Sequence, residues 1–315
     1  MIRRLLRRIP LKGWYEEAHK VWRLWRSANY RFIDFYQPGH YYSPIPDLDE
    51  VVAGGELLFD RSMRDIPAID LNARSQVELT GHLSCYYHEL PFSVAPDGER
   101  RFYLDNSYFS YGDGIVLYSF LRHFKPRRII EVGSGFSSAA MLDVNELFFA
   151  GSIALTFIEP DPARLFALFK SADEVNCTVI REPIQKVPLE LFRGLSKGDI
   201  LFVDSSHVVK IGSDVLHLIA HVLPALEKGV LVHFHDILWP FEYPQKWLVS
   251  GRAWNEVYFL RAFLQYNNSF EIVYFNSFME RHCAELLQEK MPLVMREPSS
   301  PLTPGNASLW LRKVG

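Results

Sequence analysis

The sequence predicts an α/β fold in which helices flank a mostly parallel sheet. Three observations predict it. Short, strongly apolar runs, several rich in β-branched residues, recur across residues 128–312, as is typical of buried strands. Stretches with helical spacing of apolar residues lie between these runs. Four of the runs end in polar or ionisable residues, at the strand ends where open α/β sheets bind their ligands.

The first run, 128–132, ends in a glycine turn, and a helical pattern follows it. A strand, a glycine turn and a helix let the backbone approach a nucleotide-like ligand closely. A dinucleotide fingerprint would have a glycine-like residue where Ser138 stands, and Glu131 would repel a pyrophosphate. A carboxylate at that place suits a ligand that carries an ammonium and a sulfonium. The turn therefore indicates a site for S-adenosylmethionine (SAM) rather than NAD. The predicted cofactor-binding residues here are Glu131, Gly133, Ser134 and Gly135.

The second run, 153–158, is followed by Glu159. Glu159 lies 24 positions after Gly135, close to the interval of roughly 20 residues expected for an acid that holds ribose hydroxyls. A carboxylate can accept two hydrogen bonds from a vicinal diol, which a neutral side chain does less well. The sequence therefore predicts that Glu159 binds the ribose.

The third and fourth runs, 199–204 and 229–236, also end in ionisable residues. Asp204 closes the third run, with His207 three positions later, and His235 and Asp236 close the fourth. Because the carboxyl ends of parallel strands meet at one edge of a sheet, we expect these side chains to lie beside the cofactor turn. The runs 270–275 and 307–312 are candidates for the last two strands.

Four motifs together resemble class I SAM-dependent methyltransferases, and within them a bacterial group with small-molecule or sugar O-methyltransferase relatives. They are Glu131-Val-Gly-Ser-Gly135, Phe157-Ile-Glu159-Pro160, Phe202-Val-Asp-Ser-Ser-His207 and His233-Phe-His-Asp236. The resemblance runs from about residue 100 to the C-terminus and is specific for SAM, not for the acceptor. It implies a Rossmann-like sheet of seven strands, mostly parallel with a late antiparallel strand. It also implies methylation of a hydroxyl on a small molecule or a sugar-containing envelope precursor, with Asp204 on the cofactor side.

Methyl transfer to a hydroxyl needs an aligned acceptor, a dry site and a way to remove the hydroxyl proton. A general base or a divalent metal ion can do the last. We predict His207 as the base, with His235 and Asp236 as the other catalytic candidates. Asp204 and Asp236 resemble the metal ligands of cation-dependent O-methyltransferases, but His235 stands where a second acid or an asparagine is usual. Imidazole is a poor partner for Mg²⁺ and a better one for Zn²⁺, Fe²⁺ or Mn²⁺, so the pattern favours the base over the cation.

Two further carboxylates stand at predicted helix starts. Asp113 precedes an apolar helical stripe over 115–124 and is most simply its N-cap. The resemblance implies instead that Asp113 faces the methionine end of SAM, which makes it a cofactor-binding candidate. Glu256 falls in the first turn of a helix predicted over 254–264, where it either complements the helix dipole or points into the acceptor pocket. The aromatic, proline-rich loop 237–247 has the composition of an acceptor wall or lid.

The chain divides by composition into three parts. Residues 1–37 form a basic, amphipathic helical segment, 38–110 an accessory or lid segment, and 111–315 the methyltransferase domain. Residues 1–31 carry nine basic and two acidic residues, a net charge of +7. Such a tryptophan-bearing helix either lies on an anionic membrane surface or docks on the catalytic domain or a partner subunit. Within the accessory segment, 77–83 and 101–104 are expected to be hairpin-like.

Bulk properties exclude several classes of protein. A formal net charge of −3 argues against nucleic-acid binding. Only three cysteines occur, an odd number without metal-type spacing, so no disulfides are expected. No run approaches the roughly 18 apolar residues of a membrane span. These properties predict a cytoplasmic enzyme, with a peripheral contact to the inner membrane surface if residues 1–30 bind lipid.

Two alternative functions stay open. The first is an NAD-type oxidoreductase, which Glu131 and Ser138 disfavour. The second is a SAM-binding scaffold without catalysis. The ionisable residues after the third and fourth runs argue against it, because a mere binding protein has no need of a base beside the methyl group.

Overall fold

The computed structural model describes residues 35–301 and 303–315, apart from the side chain of Glu56. A boundary between two compact units falls between Leu58 and Phe59. The described part of the first unit holds two short helices, Leu48–Ala53 and Gly55–Leu58. Asp47 caps the first helix by accepting hydrogen bonds from the backbone N–H groups of Asp49 and Glu50. The predicted basic segment lies outside the described residues except for 35–37.

The second unit is built on a seven-stranded sheet. Its strands are β1 (Arg128–Val132), β2 (Ala154–Ile158), β3 (Thr178–Ile180), β4 (Ile200–Val203), β5 (Leu231–Phe234), β6 (Phe270–Phe275) and β7 (Leu309–Lys313). They lie in the order β3-β2-β1-β4-β5-β7-β6. β7 runs antiparallel to both its neighbours, whereas the pairs from β3 to β5 are parallel. The predicted α/β fold with a mostly parallel sheet and a late antiparallel strand is confirmed.

Short helices and turns flank this sheet. The longer α-helices are Ala73–Ser84, Tyr111–Phe124, Phe136–Phe149, Glu256–Leu264, Asn276–His282 and Ala284–Lys290. The shorter ones are Ala163–Leu168, Asp173–Asn176, Leu189–Arg193, Asp214–His217, Leu223–Ala225 and Gln245–Val249, with a π-helical turn at Leu218–Val222. Single 3-10 turns lie at Tyr87–Glu89, Ile184–Lys186 and Pro292–Met295.

The central strands are apolar because both faces of the sheet are covered. β4 and β5 are buried at every residue, and so is β1 after its first. His233 lies inside this core: it is fully buried, its ring stacks on Phe202 at 3.7 Å, and its Nε2 bonds Ser308 Oγ at 2.8 Å. Burial lowers the pKa of His233 well below its usual value. The imidazole is therefore a neutral core side chain.

Two local expectations for the accessory segment were wrong or incomplete. Residues 77–83 are not hairpin-like but lie inside the helix Ala73–Ser84. The reason is that Gln76, Thr80 and Leu83 recur at helical spacing and form its buried face. The segment 101–104 forms no strand, although two backbone hydrogen bonds join 104 and 105 to 93 and 94. The short edge strand β3 was not anticipated, because three residues carry little periodic signal.

Residues 59–110 belong to the second unit. Arg101 contributes to this attachment. Its guanidinium, 4% exposed, lies 2.6 Å from both Asp143 Oδ1 and Asp173 Oδ1 and 2.8 Å from Glu146 Oε2. A buried arginine held by three carboxylates stabilises the fold because removing it would leave buried charges unpaired. In the part of the chain that the structure describes, no helix is both long and apolar enough to cross a bilayer.

Candidate active site

The glycine turn connects β1 to the helix Phe136–Phe149. Gly133 has a φ of +79°, and a Cβ atom at this residue would lie 1.8 Å from the backbone oxygen of Asp204. Only glycine meets both conditions. The backbone N–H of Ser134 donates to Glu159 Oε2 at 3.1 Å, and that of Gly135 donates to Ser138 Oγ at 3.0 Å. The turn therefore brings the ends of β1, β2 and β4 into direct contact.

Glu131 stabilises this turn by binding the first residues of the helix that follows it. It is fully buried, accepts a hydrogen bond from Ser137 Oγ at 2.6 Å, and accepts a second from Ser138 Oγ. Burial raises the pKa of Glu131 to about 8. The carboxyl group is not among the groups that line the cavity described below. Its contacts in this structure are to hydroxyl groups of the following helix.

Glu131→Gln is expected to flatten the dependence of stability on pH. The pKa of about 8 in the folded chain lies above the ordinary glutamate value of 4.5. Between these values the unfolded chain is ionised while the folded one keeps its proton, so the free energy of unfolding should fall as pH rises. The free energy of unfolding lost over this pH range should reach several kcal/mol, since each unit of pKa difference between the folded and the unfolded chain corresponds to about 1.4 kcal/mol. Urea unfolding at pH 5 and pH 8 measures it, and Glu182→Gln at an exposed position is the control. An unchanged pH slope in Glu131→Gln would contradict this account.

Glu159 stands at the end of β2 and is half-buried. Its two oxygens accept backbone hydrogen bonds from Ser134 at 3.1 Å and from Asp161 at 2.9 Å. An ionised carboxylate has about four acceptor positions. The two backbone bonds thus leave about two positions unused, and Glu159 lines the cavity described below.

The ends of β4 and β5 bring Asp204, His207, His235 and Asp236 together. His207 Nε2 lies 3.5 Å from Asp204 Oδ1 and 3.5 Å from Asp236 Oδ2. His235 Nδ1 lies 3.4 Å from Asp204 Oδ1, and its Nε2 lies 3.5 Å from Asp113 Oδ2. Asp204 is thus placed between two imidazoles.

Charge pairing sets the protonation of this cluster. Burial alone would lower the pKa of His207, but hydrogen bonds to Asp204 and Glu256 and the charge of Asp236 raise it to about 10. The charges of Asp236 and Asp204 likewise outweigh burial and hold the pKa of His235 well above its usual range. Burial would raise the pKa of Asp204, but the two imidazoles outweigh burial and hold this pKa well below the ordinary range. Burial raises the pKa of Asp236. Both imidazoles are therefore doubly protonated and positively charged at neutral pH in this arrangement.

These groups line a single cavity of about 640 Å³, a size typical of small-ligand pockets. The glycine turn and Glu159 form one part of its wall, and the ends of β4 and β5 form another. Its lining also includes Tyr108, Arg164, Trp247, Arg252 and Trp254. The Arg164 guanidinium lies 4.1 Å from the ring centroid of Tyr108. A ligand on the glycine turn and a second molecule beside Asp236 would share this cavity.

Comparison with known proteins identifies the family. A family model described as a methyltransferase domain matches residues 130–237, which hold the glycine turn, Glu159 and both polar strand ends. The chain belongs to the class I SAM-dependent methyltransferases. An uncharacterized protein of Archaeoglobus fulgidus is 33% identical over 171 residues, which is 52% of this chain and 76% of that protein.

Solved methyltransferase structures resemble the chain more distantly. The O-methyltransferase TomG of Streptomyces achromogenes, in complex with SAM, is 12% identical over 85% of this chain and 96% of its own, with a TM-score of 0.40. The SAH-bound methyltransferase PaMTH1 of Podospora anserina is 14% identical over 85% of this chain and 95% of its own, with a TM-score of 0.41. Similarity at this level indicates neither the acceptor nor the mechanism of this methyltransferase.

Asp113 does not have the local role that the sequence suggested. The N-cap of the helix Tyr111–Phe124 is Ser110, and Asp113 is the third residue of that helix. It is 1% exposed and accepts hydrogen bonds from the backbone N–H of Ala307 and from Asn276 Nδ2 at 2.9 Å. Asp113 is not among the residues that line the cavity. Its carboxylate links the C-terminal segment to this helix and lies 3.5 Å from His235 Nε2.

Glu256 is the functional side chain that sequence reasoning left unassigned. It is 1% exposed and bonds His207 Nδ1 through Oε2 at 2.9 Å, while Ser205 Oγ donates to both its oxygens. The helix that carries it begins against His207, whose backbone oxygen accepts from the N–H groups of Asn255 and Glu256 at 3.1 Å. No local signal could pair residues 49 positions apart. The predicted loop 237–247 contributes only Trp247 to the cavity wall.

Proposed function

We propose that this methyltransferase transfers the methyl group of SAM to a hydroxyl group of a small-molecule acceptor. One observation carries the proposal. The glycine turn, Glu159 and the cluster Asp204, His207, His235 and Asp236 line the same cavity. A cofactor site and a set of proton-handling groups therefore face each other across a space of small-ligand size.

The residues present fit SAM. The free acceptor positions of Glu159 suit the two ribose hydroxyls. Gly133 allows the backbone at the ends of β1 and β4 to come close to a ligand. Ser134 Oγ, buried on the cavity wall, has no hydrogen-bond partner among the described residues. Glu159 and Asp204 also border an adjoining cavity of about 430 Å³, where Ile158 and Ile184 offer apolar contact to a purine.

When bound, SAM supplies a methyl group already activated by its sulfonium, so the protein has to orient the acceptor and handle one proton. His207 and His235 are protonated in this arrangement, and their positive charges, 3.5 Å and 3.4 Å from Asp204 Oδ1, keep that carboxylate ionised. Asp236, with its raised pKa, is the group best suited to accept a proton from an acceptor hydroxyl. If His207 gives up its Nε2 proton, Asp204, His207 and Asp236 form a group that would hold a divalent cation instead, and the cation would lower the pKa of that hydroxyl.

The acceptor side of the cavity favours an anionic substrate with a flat face. The Arg252 guanidinium carbon lies 4.9 Å and 5.2 Å from the ring centroids of Trp247 and Trp254. Trp254 in turn contacts the ring of His207 at 4.4 Å between centroids. Tryptophan faces pack against sugars or aromatic rings, and a stacked guanidinium binds carboxylate or phosphate. We therefore infer an acceptor that carries an acidic group.

Methyl transfer from labelled SAM to matched pairs of acceptors tests both points. The pairs are catechol with 3,4-dihydroxybenzoate and glucose with glucuronate, followed by fractionated cell extract. The acidic member should be the better acceptor or ligand. Arg252→Gln should weaken its binding by about 10-fold or more, as expected for a lost charge-assisted hydrogen bond. The exposed Arg193→Gln is the control and should leave binding unchanged.

The outcomes separate the alternatives. Binding of NAD without SAM would identify an oxidoreductase. Binding of SAM without transfer to any fraction would identify a scaffold. Transfer that favours the neutral acceptors, or that ignores Arg252→Gln, would contradict the acidic substrate while leaving the reaction intact.

A further inference from the structure

The described part of the first unit, residues 35–58, exposes a large share of its apolar side chains. Eight large apolar side chains are exposed in this short segment, against twelve in the described part of the much longer second unit. The eight are Phe35, Tyr41, Tyr42, Ile45, Leu48, Val52, Leu57 and Leu58. The helix Leu48–Ala53 buries none of its residues. Apolar surface concentrated in this way marks a place where a partner or a membrane binds.

Within this surface, five rings form an aromatic cluster. The ring centroid of Tyr36 lies 4.6 Å from that of Phe35, 4.8 Å from that of His40 and 5.2 Å from that of Tyr42. The ring of Tyr41 lies 4.5 Å from His40 and 4.7 Å from Tyr42. Phe35, Tyr41 and Tyr42 are nevertheless 77%, 84% and 65% exposed. The aromatic cluster is therefore contiguous, and most of its outer surface is accessible.

Hydrogen bonds hold the backbone that presents the aromatic cluster. The N–H of His40 donates to the backbone oxygen of Gln37 at 3.0 Å, and that of Gly39 donates to the backbone oxygen of Ile45 at 3.0 Å. Gly39 has a φ of +88°, and a Cβ atom there would lie 2.8 Å from Asp47 Oδ2, so this turn requires glycine. Because the turn is already formed, less conformational entropy is lost when the rings bind a surface.

The chain carries positive charge directly before the aromatic cluster. Residues 1–31 hold nine basic and two acidic residues, and Arg31 precedes Phe35 by four positions. Residues 35–58 contain four acids and no lysine or arginine, so attraction to an anionic surface has to come from residues 1–31. Aromatic side chains are enriched at the boundary between lipid headgroups and acyl chains, and basic residues attract anionic headgroups. An anionic lipid surface complements both features.

We propose that the aromatic cluster inserts into the headgroup region of an anionic membrane, to which residues 1–31 add electrostatic attraction. Reversible membrane binding characteristically needs two such signals, one apolar and one basic. Salt screens only the second of them. The proposal is independent of the proposed methyl transfer, because none of the described residues 35–58 lines the cavity.

Flotation of the full-length protein with lipid vesicles tests the proposal. Vesicles of phosphatidylcholine with about 30% phosphatidylglycerol should bind the protein about 10-fold more tightly than pure phosphatidylcholine, or better. Combining Tyr41→Ser with Tyr42→Ser should weaken binding to the anionic vesicles by about 10-fold or more, because two large apolar contacts are lost. Raising the salt from about 0.05 M to about 0.3 M should weaken binding of both proteins by the same factor, since residues 1–31 are unchanged.

Tyr266→Ser is the matched control, because Tyr266 is 87% exposed but lies in the second unit. It should leave vesicle binding unchanged. Titration with S-adenosylhomocysteine should give the same affinity for the double variant and the unmodified protein, which shows that the catalytic unit stays folded. Loss of that affinity in the unmodified protein would contradict the proposed function and leave this proposal intact.

Three results would overturn the proposal. The full-length protein would ignore anionic vesicles at low salt. The double variant would bind them as the unmodified protein does, as expected if residues 1–34 of the same chain occupied the aromatic cluster. Sedimentation would show a dimer that the double variant dissociates while neither protein binds vesicles, which would identify a second copy of the chain as the occupant.

Discussion

Replacing Gly133 by alanine is expected to abolish SAM binding and to lower the free energy of unfolding by more than about 3 kcal/mol. A positive φ costs a non-glycine residue only about 1–2 kcal/mol. The larger part comes from the Cβ atom, which would stand 1.8 Å from the backbone oxygen of Asp204. The β4 end would have to move away from β1, and the cavity wall would move with it. Thermal unfolding and calorimetric titration with S-adenosylhomocysteine measure both effects.

Gly151→Ala is the matched control for this experiment. Gly151 has nearly the same φ, +76°, but a Cβ atom there meets nothing within 4 Å. Its replacement should therefore show only the backbone cost and leave cofactor binding intact. Equal losses in the two variants would mean that the close approach of β1 and β4 does not matter.

Glu159→Ala is expected to weaken SAM binding by about 30–1000-fold, or 2–4 kcal/mol, because two charge-assisted hydrogen bonds to the ribose would be lost. The turn itself would also lose the bond from the Ser134 N–H to Glu159 Oε2. Glu159→Gln keeps an acceptor oxygen for part of this network and should lose less. Isothermal titration calorimetry gives the affinities.

The exposed Glu182, which pairs with Lys186 at 3.0 Å, provides the control for removal of a nearby carboxylate. Glu182→Ala should bind SAM as the unmodified protein does. An unchanged affinity in Glu159→Ala would sink the assignment of this acid to the ribose and, with it, the cofactor half of the proposed function.

Together these experiments separate the cofactor half of the site from the acceptor half. Gly133 and Glu159 lie at the ends of β1 and β2, whereas His207 and Asp236 follow β4 and β5. Changes at the first pair should remove SAM binding, and changes at the second pair should spare it. Asp204 belongs to both halves because its backbone contacts Gly133 and its carboxylate lies between the two imidazoles.

Most strands of the sheet could be predicted because the signal for each is local. The apolar run at β1, the glycine turn and the following helix are contiguous, and the strand starts and ends fall within a few residues of the expected ones. A central strand that is buried on both faces has an almost continuous apolar sequence, which can be recognised directly. β3 escaped prediction because it has three residues, and 77–83 were misassigned because an amphipathic helix was taken for a hairpin.

The sequence by itself determined the family, the glycine turn and the strand ends that carry Glu159, Asp204, His207 and Asp236, since each follows from residues that are neighbours along the chain. Only the tertiary structure decided what these side chains meet. Asp113 contacts Asn276 and Ala307, 163 and 194 positions away, and Glu256 reaches back 49 positions to His207. The contact with Glu256 fixes the direction of the His207 imidazole, and the charges of Asp204 and Asp236 keep both imidazoles protonated. These contacts depend on how helices pack against the sheet, and no local pattern of residues encodes the distance between two strand ends or the charge that one side chain presents to another.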